Sequence, residues 1–427
     1  MLNEESELLL GCVADDFTGA SDAASFLQKQ GIRTLLYNGV PNLNTTIDKE
    51  FNAVVIALKT RTDKRNKAVV ESIEALDWLI NKGVKQLYIK YCSTFDSTKE
   101  GNIGPIIDAA LEKYNVAYTI LCPALPVNKR TVTDGCLYVD GIPLNESYMK
   151  NHPLTPMWDC DIAKLMEPQG RYSSLKINYK MLDLPISELV EIIKEFGKDK
   201  DHFYIIPDYM NEEHAAKIVK VFGHNKILTG GSGILTQLGK KLYSNLKYIE
   251  DKKDEIQGVF GSGLILAGSC SRATLDQINY YQHKNGISLK IDPIKLLNKE
   301  ENIDDIWNFI KNANGDVLIY SSDNIHQVKE SQKYGKELIS NLLESTMAEL
   351  SKRAIGNGIK RIIVAGGETS GAVTMSLGYN SFIIGKSVAP GVPVMVPLND
   401  LGVRLVLKSG NFGQEDFFIR ALEFTKA

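Results

Sequence analysis

Short apolar runs alternate with stretches whose apolar residues recur every three or four positions along most of the chain. The runs at 8–14, 34–37, 53–58, 86–91 and 118–122 have the length of buried strands. Between them, 22–30, 67–82 and 106–114 carry helical periodicity. The stretch 132–168 breaks the rhythm. Its Pro153 and Pro156 disfavour helix, so it is expected to be an irregular excursion. Alternation resumes with helices over 186–196 and 212–221 and strands over 202–207 and 226–229. A second series follows, with strands at 264–267, 317–321 and 361–365, helices at 271–282, 335–356 and 370–377, and late strands at 394–397 and 405–408. Strands alternating with helices predict βαβ units and parallel sheets.

The chain has 427 residues, which favours two α/β domains over one. The segment 251–263 is charged and then glycine-rich (Gly258, Gly261, Gly263), as a linker would be. The expected organisation is a substrate domain over 1–250, a linker over 251–263 and a nucleotide-binding domain over 264–427. Each domain should be a largely parallel sheet flanked by helices, with the active site in the cleft between them.

A formal net charge of −3 gives no polybasic surface and argues against a nucleic-acid partner. The six cysteines form no CxxC pair, which excludes zinc-ribbon and thioredoxin readings and suits reduced thiols in the cytoplasm. The first residues contain acidic side chains where a signal peptide needs basic ones, and no apolar run approaches the roughly 20 residues that span a bilayer. A soluble cytoplasmic protein is expected, and a homo-oligomer is compatible with the sequence.

Candidate chemistry lies directly after the strands, where open α/β sheets bind ligands. Asp15-Asp16-Phe17-Thr18-Gly19 follows the first strand. Paired carboxylates there serve as acceptors or bases, or Asp16 simply caps the next helix. Lys59-Thr60-Arg61-Thr62 offers two cations for a carboxylate, or a solvated charged loop. The segment from Lys90 to Thr98 brings a lysine, Ser93, Thr94 and Asp96 together, a set suited to an anionic polyol or to a turn. Asn128 stands in a fourth such loop with Lys129 and Arg130. The lone His152 is read as structural.

In the second half, Gly366-Gly367-Glu368-Thr369 follows a strand and opens a helix. Such a turn is either a tight connection or a phosphate cradle whose free amides meet the charge. Ser269 and Gly410 occupy equivalent strand-end positions. Two decoys fail. Gly385-Lys386-Ser387 lacks the P-loop glycine, because Asn380 stands there, and Gly261-Ser262-Gly263 lacks the third fingerprint glycine, where Leu266 stands.

Together these loops resemble the four-carbon acid sugar kinase family over nearly the whole chain. The resemblance rests on 14–20, 101–104, 267–269, 365–371 and 408–413. It implies a sugar-acid domain followed by a nucleotide domain, with ATP as phosphate donor and Mg²⁺ on its phosphates. The segments 90–98 and 151–157 are similar to the 3-oxo-tetronate branch. In particular, Phe95 stands where the D-threonate and D-erythronate branches tend to carry lysine. The resemblance therefore implies transfer to the 4-hydroxyl of a 3-oxo-tetronate. In the resulting scheme Asp15, Asp16 and Asp96 hold hydroxyls. One of them, Asp16 before the others, takes the proton. Lys59, Arg61 and Lys90 meet the carboxylate, with Ser93, Thr94 and Asn128 as further substrate contacts. Ser269, Gly366, Gly367, Glu368, Thr369 and Gly410 hold the nucleotide; no metal ligand is assigned. Kinases for D-threonate or D-erythronate, a non-catalytic sugar-acid sensor and a nicotinamide-dependent oxidoreductase are the alternatives.

Overall fold

The computed structural model describes residues 8–152, 155–244, 246 and 256–427. The chain divides into two compact units, 1–251 and 252–427.

The strands of the first unit are β1 (Leu10–Ala14), β2 (Thr34–Asn38), β3 (Ala53–Ala57), β4 (Gln86–Lys90), β5 (Tyr118–Cys122), β6 (Arg130–Thr133), β7 (Cys136–Val139), β8 (Ile142–Pro143), β9 (Ser174–Ile177), β10 (Phe203–Pro207) and β11 (Ile227–Gly230). Eight of them form one parallel sheet in the order β2-β3-β1-β4-β11-β5-β10-β9. Its central strands β1, β3 and β4 are buried at every position, which explains their unbroken apolar runs. Helix Phe17–Lys29 carries the chain from β1 toward β2, and helix Arg65–Asn81 carries it from β3 past β1 to β4. These crossovers run in opposite directions. Right-handed connection therefore puts the two helices on opposite faces and opens a crevice at the carboxyl end of β1.

The excursion is more regular than its prolines suggest. Strands β6, β7 and β8 form an antiparallel sheet. They are joined by Asp134-Gly135 and Asp140-Gly141, all four residues having positive φ (50°, 78°, 53° and 78°), as two-residue type I′ hairpins require. His152 is engaged locally: its Nδ1 lies 2.8 Å from the Thr155 hydroxyl and accepts from the Thr155 amide. Pro153 and Leu154 lie outside the described residues.

The second unit contains β12 (Gly263–Ala267), β13 (Ile287–Lys290), β14 (Val317–Tyr320), β15 (Arg361–Ala365), β16 (Ser381–Ala389), β17 (Val392–Pro397) and β18 (Arg404–Lys408). They run in the order β13-β14-β12-β15-β18-β17-β16. The first five are parallel, and β17 and β16 are antiparallel additions. The opening order matches that of the first unit, with the first strand again between the third and the fourth. Gly385-Lys386-Ser387 lies inside β16, so it is no phosphate loop.

Of the expected linker, 251–255 lie outside the described residues. The rest is fastened to the second unit. Val259 bridges to Lys426, Arg361 Nη1 donates to the Gly261 carbonyl (2.6 Å), and Arg404 Nε donates to the Gln257 carbonyl (2.7 Å). Among the described residues all six cysteines are free thiols, and no helix is long and apolar enough to cross a membrane.

Candidate active site

Register brings the acidic and basic loops of the first unit together. Ala14 pairs with Ala57 on one side and Lys90 on the other, so three loops leave the sheet at one level. The Asp15 backbone stitches them: its amide donates to the Lys90 carbonyl (3.1 Å), and its carbonyl accepts from the Thr60 amide (3.0 Å). Arg61 then grips both aspartates. Its Nε and Nη2 donate to Asp15 at 2.8 and 2.9 Å, and its Nη1 lies 3.0 Å from Asp16 Oδ2. A fork against a carboxylate in a half-buried site is a rigid, charge-assisted contact.

Asp16 also caps helix Phe17–Lys29, accepting from the Gly19 amide (2.7 Å) and the Thr18 hydroxyl (3.0 Å). Burial pushes its carboxyl upward. The charges of Arg61 and Lys90 and these two hydrogen bonds outweigh that effect and leave it below the usual range. Gly19 is required at this point, because a Cβ there would collide with the capping oxygen and sit 2.6 Å from Lys90 Nζ. Lys90 is buried. Burial opposes its charge, but Asp22, Asp15 and Asp16 overcome this and raise its pKa above the ordinary lysine value. Asp22 is held up by burial; Ser232 donates to its Oδ2 and its Oδ1 has no partner.

Asp96 sits differently. Thr94 Oγ1 donates to its Oδ1 (2.6 Å), and Asp96 lines a pocket with Asp15, Arg61, Lys90 and Asn102. Ile89, Ile103 and Ile106 supply an apolar wall. The turn that aims Asp96 is made by Phe95, whose φ of 50° is unusual for a bulky residue, with its ring buried edge-on against Tyr91. Asn102 lies in the 101–104 motif, but the sequence assigns it no role. Its amide donates to the carbonyls of Thr60 (2.7 Å) and Asp63 (2.8 Å), tying the loop after β3 to helix Ile103–Tyr114. Lys59 is exposed and Ser93 half-buried, while Asn128 ends a short turn and accepts from Arg130 through its carbonyl. Lys59, Ser93, Thr94 and Asn128 are not in the pocket lining; Thr94 acts through Asp96.

The second unit repeats the device with glycines. Ala267 pairs with Ala365, and Ala365 with Lys408, so the loops bearing Ser269, Gly366 and Gly410 emerge side by side. Gly366 precedes helix Gly367–Leu377 with φ 135° and no side-chain cap. A Cβ on Gly410 would strike Ser269 Oγ, and one on Gly268 would strike Thr369 Oγ1, so the loops nest backbone to side chain. Above Gly367 and Gly371, one turn apart, a Cβ would meet nothing within 4 Å. That open strip beside uncapped helix amides fits a polyphosphate. Thr369 is buried behind the loop, and Glu368 is exposed in the first turn.

Helix Arg272–His283 clamps the third loop. Ser271 and Thr274 donate to the Gly410 carbonyl (2.6 and 3.0 Å), and Gln277 Nε2 reaches the carbonyls of Phe412, Gly413 and Gln414 (3.0, 3.1 and 3.0 Å). Gln277→Ala would leave three carbonyls without this donor. It is expected to lower unfolding stability by about 1–3 kcal/mol, read in denaturant melts.

Residues 10–238 match the family described as a sugar-binding N-terminal domain, and 264–418 match a nucleotide-binding C-terminal domain. A Brucella melitensis biotype 1 protein named 3-oxo-tetronate kinase is 39% identical over 421 residues, covering 97% of this chain and 95% of the relative. The chain belongs to the 3-oxo-tetronate kinase family. Two solved structures share the family's fold at 37% identity. One is a Salmonella typhimurium LT2 protein provisionally described as a tRNA synthase (TM-score 0.88, covering 97% of this chain and 98% of that one). The other is Haemophilus influenzae protein HI1011 (TM-score 0.81, 97% and 100%). The two family domains coincide with the acid-and-cation pocket and the glycine cradle respectively.

Proposed function

We propose that this protein transfers the γ-phosphoryl group of ATP to the 4-hydroxyl of 3-oxo-tetronate, giving the 4-phosphate and ADP. The observation that carries the reading is the pairing of a small pocket lined by Asp96, Arg61 and Lys90 with an open glycine strip on a second unit, in a chain whose full-length relatives bear that name. Phosphoryl transfer asks mainly for positioning and charge neutralisation. Asp96 is the residue we assign to the 4-hydroxyl proton, because Asp15 and Asp16 are committed to Arg61 and Asp16 also to the helix cap. The aspartate pair and Arg61 form the rigid floor. Lys90, the other cation of the lining, is the one assigned to the substrate carboxylate, with Arg61 adding positive charge from within the floor. ATP would arrive with Mg²⁺ on its phosphate oxygens, which neutralises charge as the bond to the leaving oxygen breaks. The amides of Gly366 and Gly367 and the Ser269 and Gly410 loops would hold the phosphates.

The same chemistry on D-threonate or D-erythronate is the second reading. Phe95 weighs against it: its position is buried and apolar here, where those branches tend to place a lysine. Coupled ADP-release assays on the three acids separate them. The expected result is a kcat/KM for 3-oxo-tetronate at least about 100-fold above the other two, since an unpaired buried polar group costs that order of discrimination. Equal rates on D-threonate would move the assignment to that acid. No ADP release with any of the three would remove the kinase reading.

A further inference from the structure

Lys408 ends β18, is fully buried, and has no acidic partner among the described residues. Its ammonium has three donors and three acceptors to meet: Thr274 Oγ1 (2.9 Å), the Ser409 carbonyl (3.2 Å) and the Gly410 carbonyl (2.9 Å). Its own carbonyl accepts from the Gly366 amide (2.9 Å). One residue thus joins the Gly366 loop, the Gly410 loop and the helix that follows Ser269. The Phe417 ring lies 5.8 Å from the charge. Among the described residues, the charged groups on the neighbouring elements do not pair with it. Arg272 and Asp276 face each other at 3.8 Å on the outside of their helix, Glu368 and Glu415 are exposed, and Asp416 heads the last helix. A buried cation without a counter-ion is costly unless something supplies the missing negative charge. Here the absent anion has an evident source in the polyphosphate that the three loops would cradle.

We propose that Lys408 is the positioning residue of the nucleotide site: as an ammonium it locks the Gly410 loop, and it takes up a proton when the polyphosphate binds. This rests on the nucleotide-binding reading of the second unit. Burial holds the amine down to about 7, well below an ordinary lysine. The sign follows. Below neutrality the amine is already charged, and nucleotide binds without proton exchange. Above it the free protein carries a neutral amine, and an approaching polyanion favours the charged form. A proton is then taken up, and affinity falls as pH rises.

The test is calorimetric titration of the full chain with Mg·ATP, without sugar acid, at about pH 8 in two buffers of different ionisation enthalpy. ATP is fully ionised there, so a proton taken up goes to the protein. The wild type should absorb about 0.5–1 proton per nucleotide and lose up to about tenfold in affinity per pH unit above neutrality. Lys408→Met should abolish the uptake and flatten the pH profile, at weaker affinity. Lys408→Arg, which keeps its charge throughout this range, should bind without uptake. ATP binding by the wild type with no proton uptake would overturn the proposal without any variant, as would undiminished uptake in Lys408→Met. Failure of the wild type to bind ATP at all would instead overturn the nucleotide reading on which the proposal stands.

Discussion

Asp96→Asn is expected to lower kcat by about 10²–10⁴-fold, the usual worth of a positioned proton acceptor, while KM for the acid changes by less than about threefold. The amide is isosteric and still accepts from Thr94 Oγ1, so the turn at Phe95 survives and only the basic oxygen is lost. Asp16→Asn is the informative contrast. Asparagine caps helices about as well as aspartate, so the bond from Gly19 persists. What is lost is the charge facing Arg61 Nη1. The expected fall is about tenfold in kcat/KM, or about 1.4 kcal/mol, through a loosened floor. Steady-state kinetics on both variants check the assignment. A larger kcat loss in Asp16→Asn than in Asp96→Asn would return the proton-accepting role to Asp16.

Gly367→Val should abolish nucleotide binding without harming the fold. A Cβ at this position meets nothing beyond its own helix within 4 Å, so the melting temperature should stay within about 2 °C, as for a substitution that breaks no contact. The two methyl groups would stand in the strip where phosphates are proposed to lie. ATP affinity should then drop at least about 100-fold, some 2.7 kcal/mol, as read by calorimetry, with the acid's affinity unchanged. Gly410 would be a poorer probe, because a Cβ there strikes Ser269 Oγ inside the protein and would mix ligand loss with local rearrangement. Unchanged ATP affinity in Gly367→Val would show that the helix start at 367 does not hold the nucleotide.

Both candidate sites lie where strand ends could be counted in the sequence. Apolar runs located β1, β3 and β4, and parallel register then forces Asp15, Arg61 and Asp96 onto one edge. The same reasoning placed Ser269, Gly366 and Gly410. Pairings across distance were not legible. Arg61 grips an aspartate 46 positions away, Asn102 binds a loop some 40 residues earlier, and Gln277 reaches a loop more than 130 residues on. No periodicity encodes such contacts. Lys408 falls within a family motif, but its burial was not legible for a related reason: a lysine at a strand end reads as solvent-facing until earlier and later segments close over it. The Asp134-Gly135 and Asp140-Gly141 pairs carry a hairpin signal that the neighbouring prolines obscure. Glycines near 258–263 suggest flexibility by composition. Yet Gly258 is needed because the backbone of Lys426 passes too close for a side chain, and at Gly263 a Cβ would press on the tip of the Leu422 side chain.

The most direct measurement is phosphorus NMR of a reaction holding the protein, Mg·ATP and freshly prepared 3-oxo-tetronate. The account predicts that the γ-phosphate signal is replaced, one for one with ADP, by a phosphomonoester resonance split by the two C4 protons. Inorganic phosphate in its place, or an ester on another carbon, would contradict it.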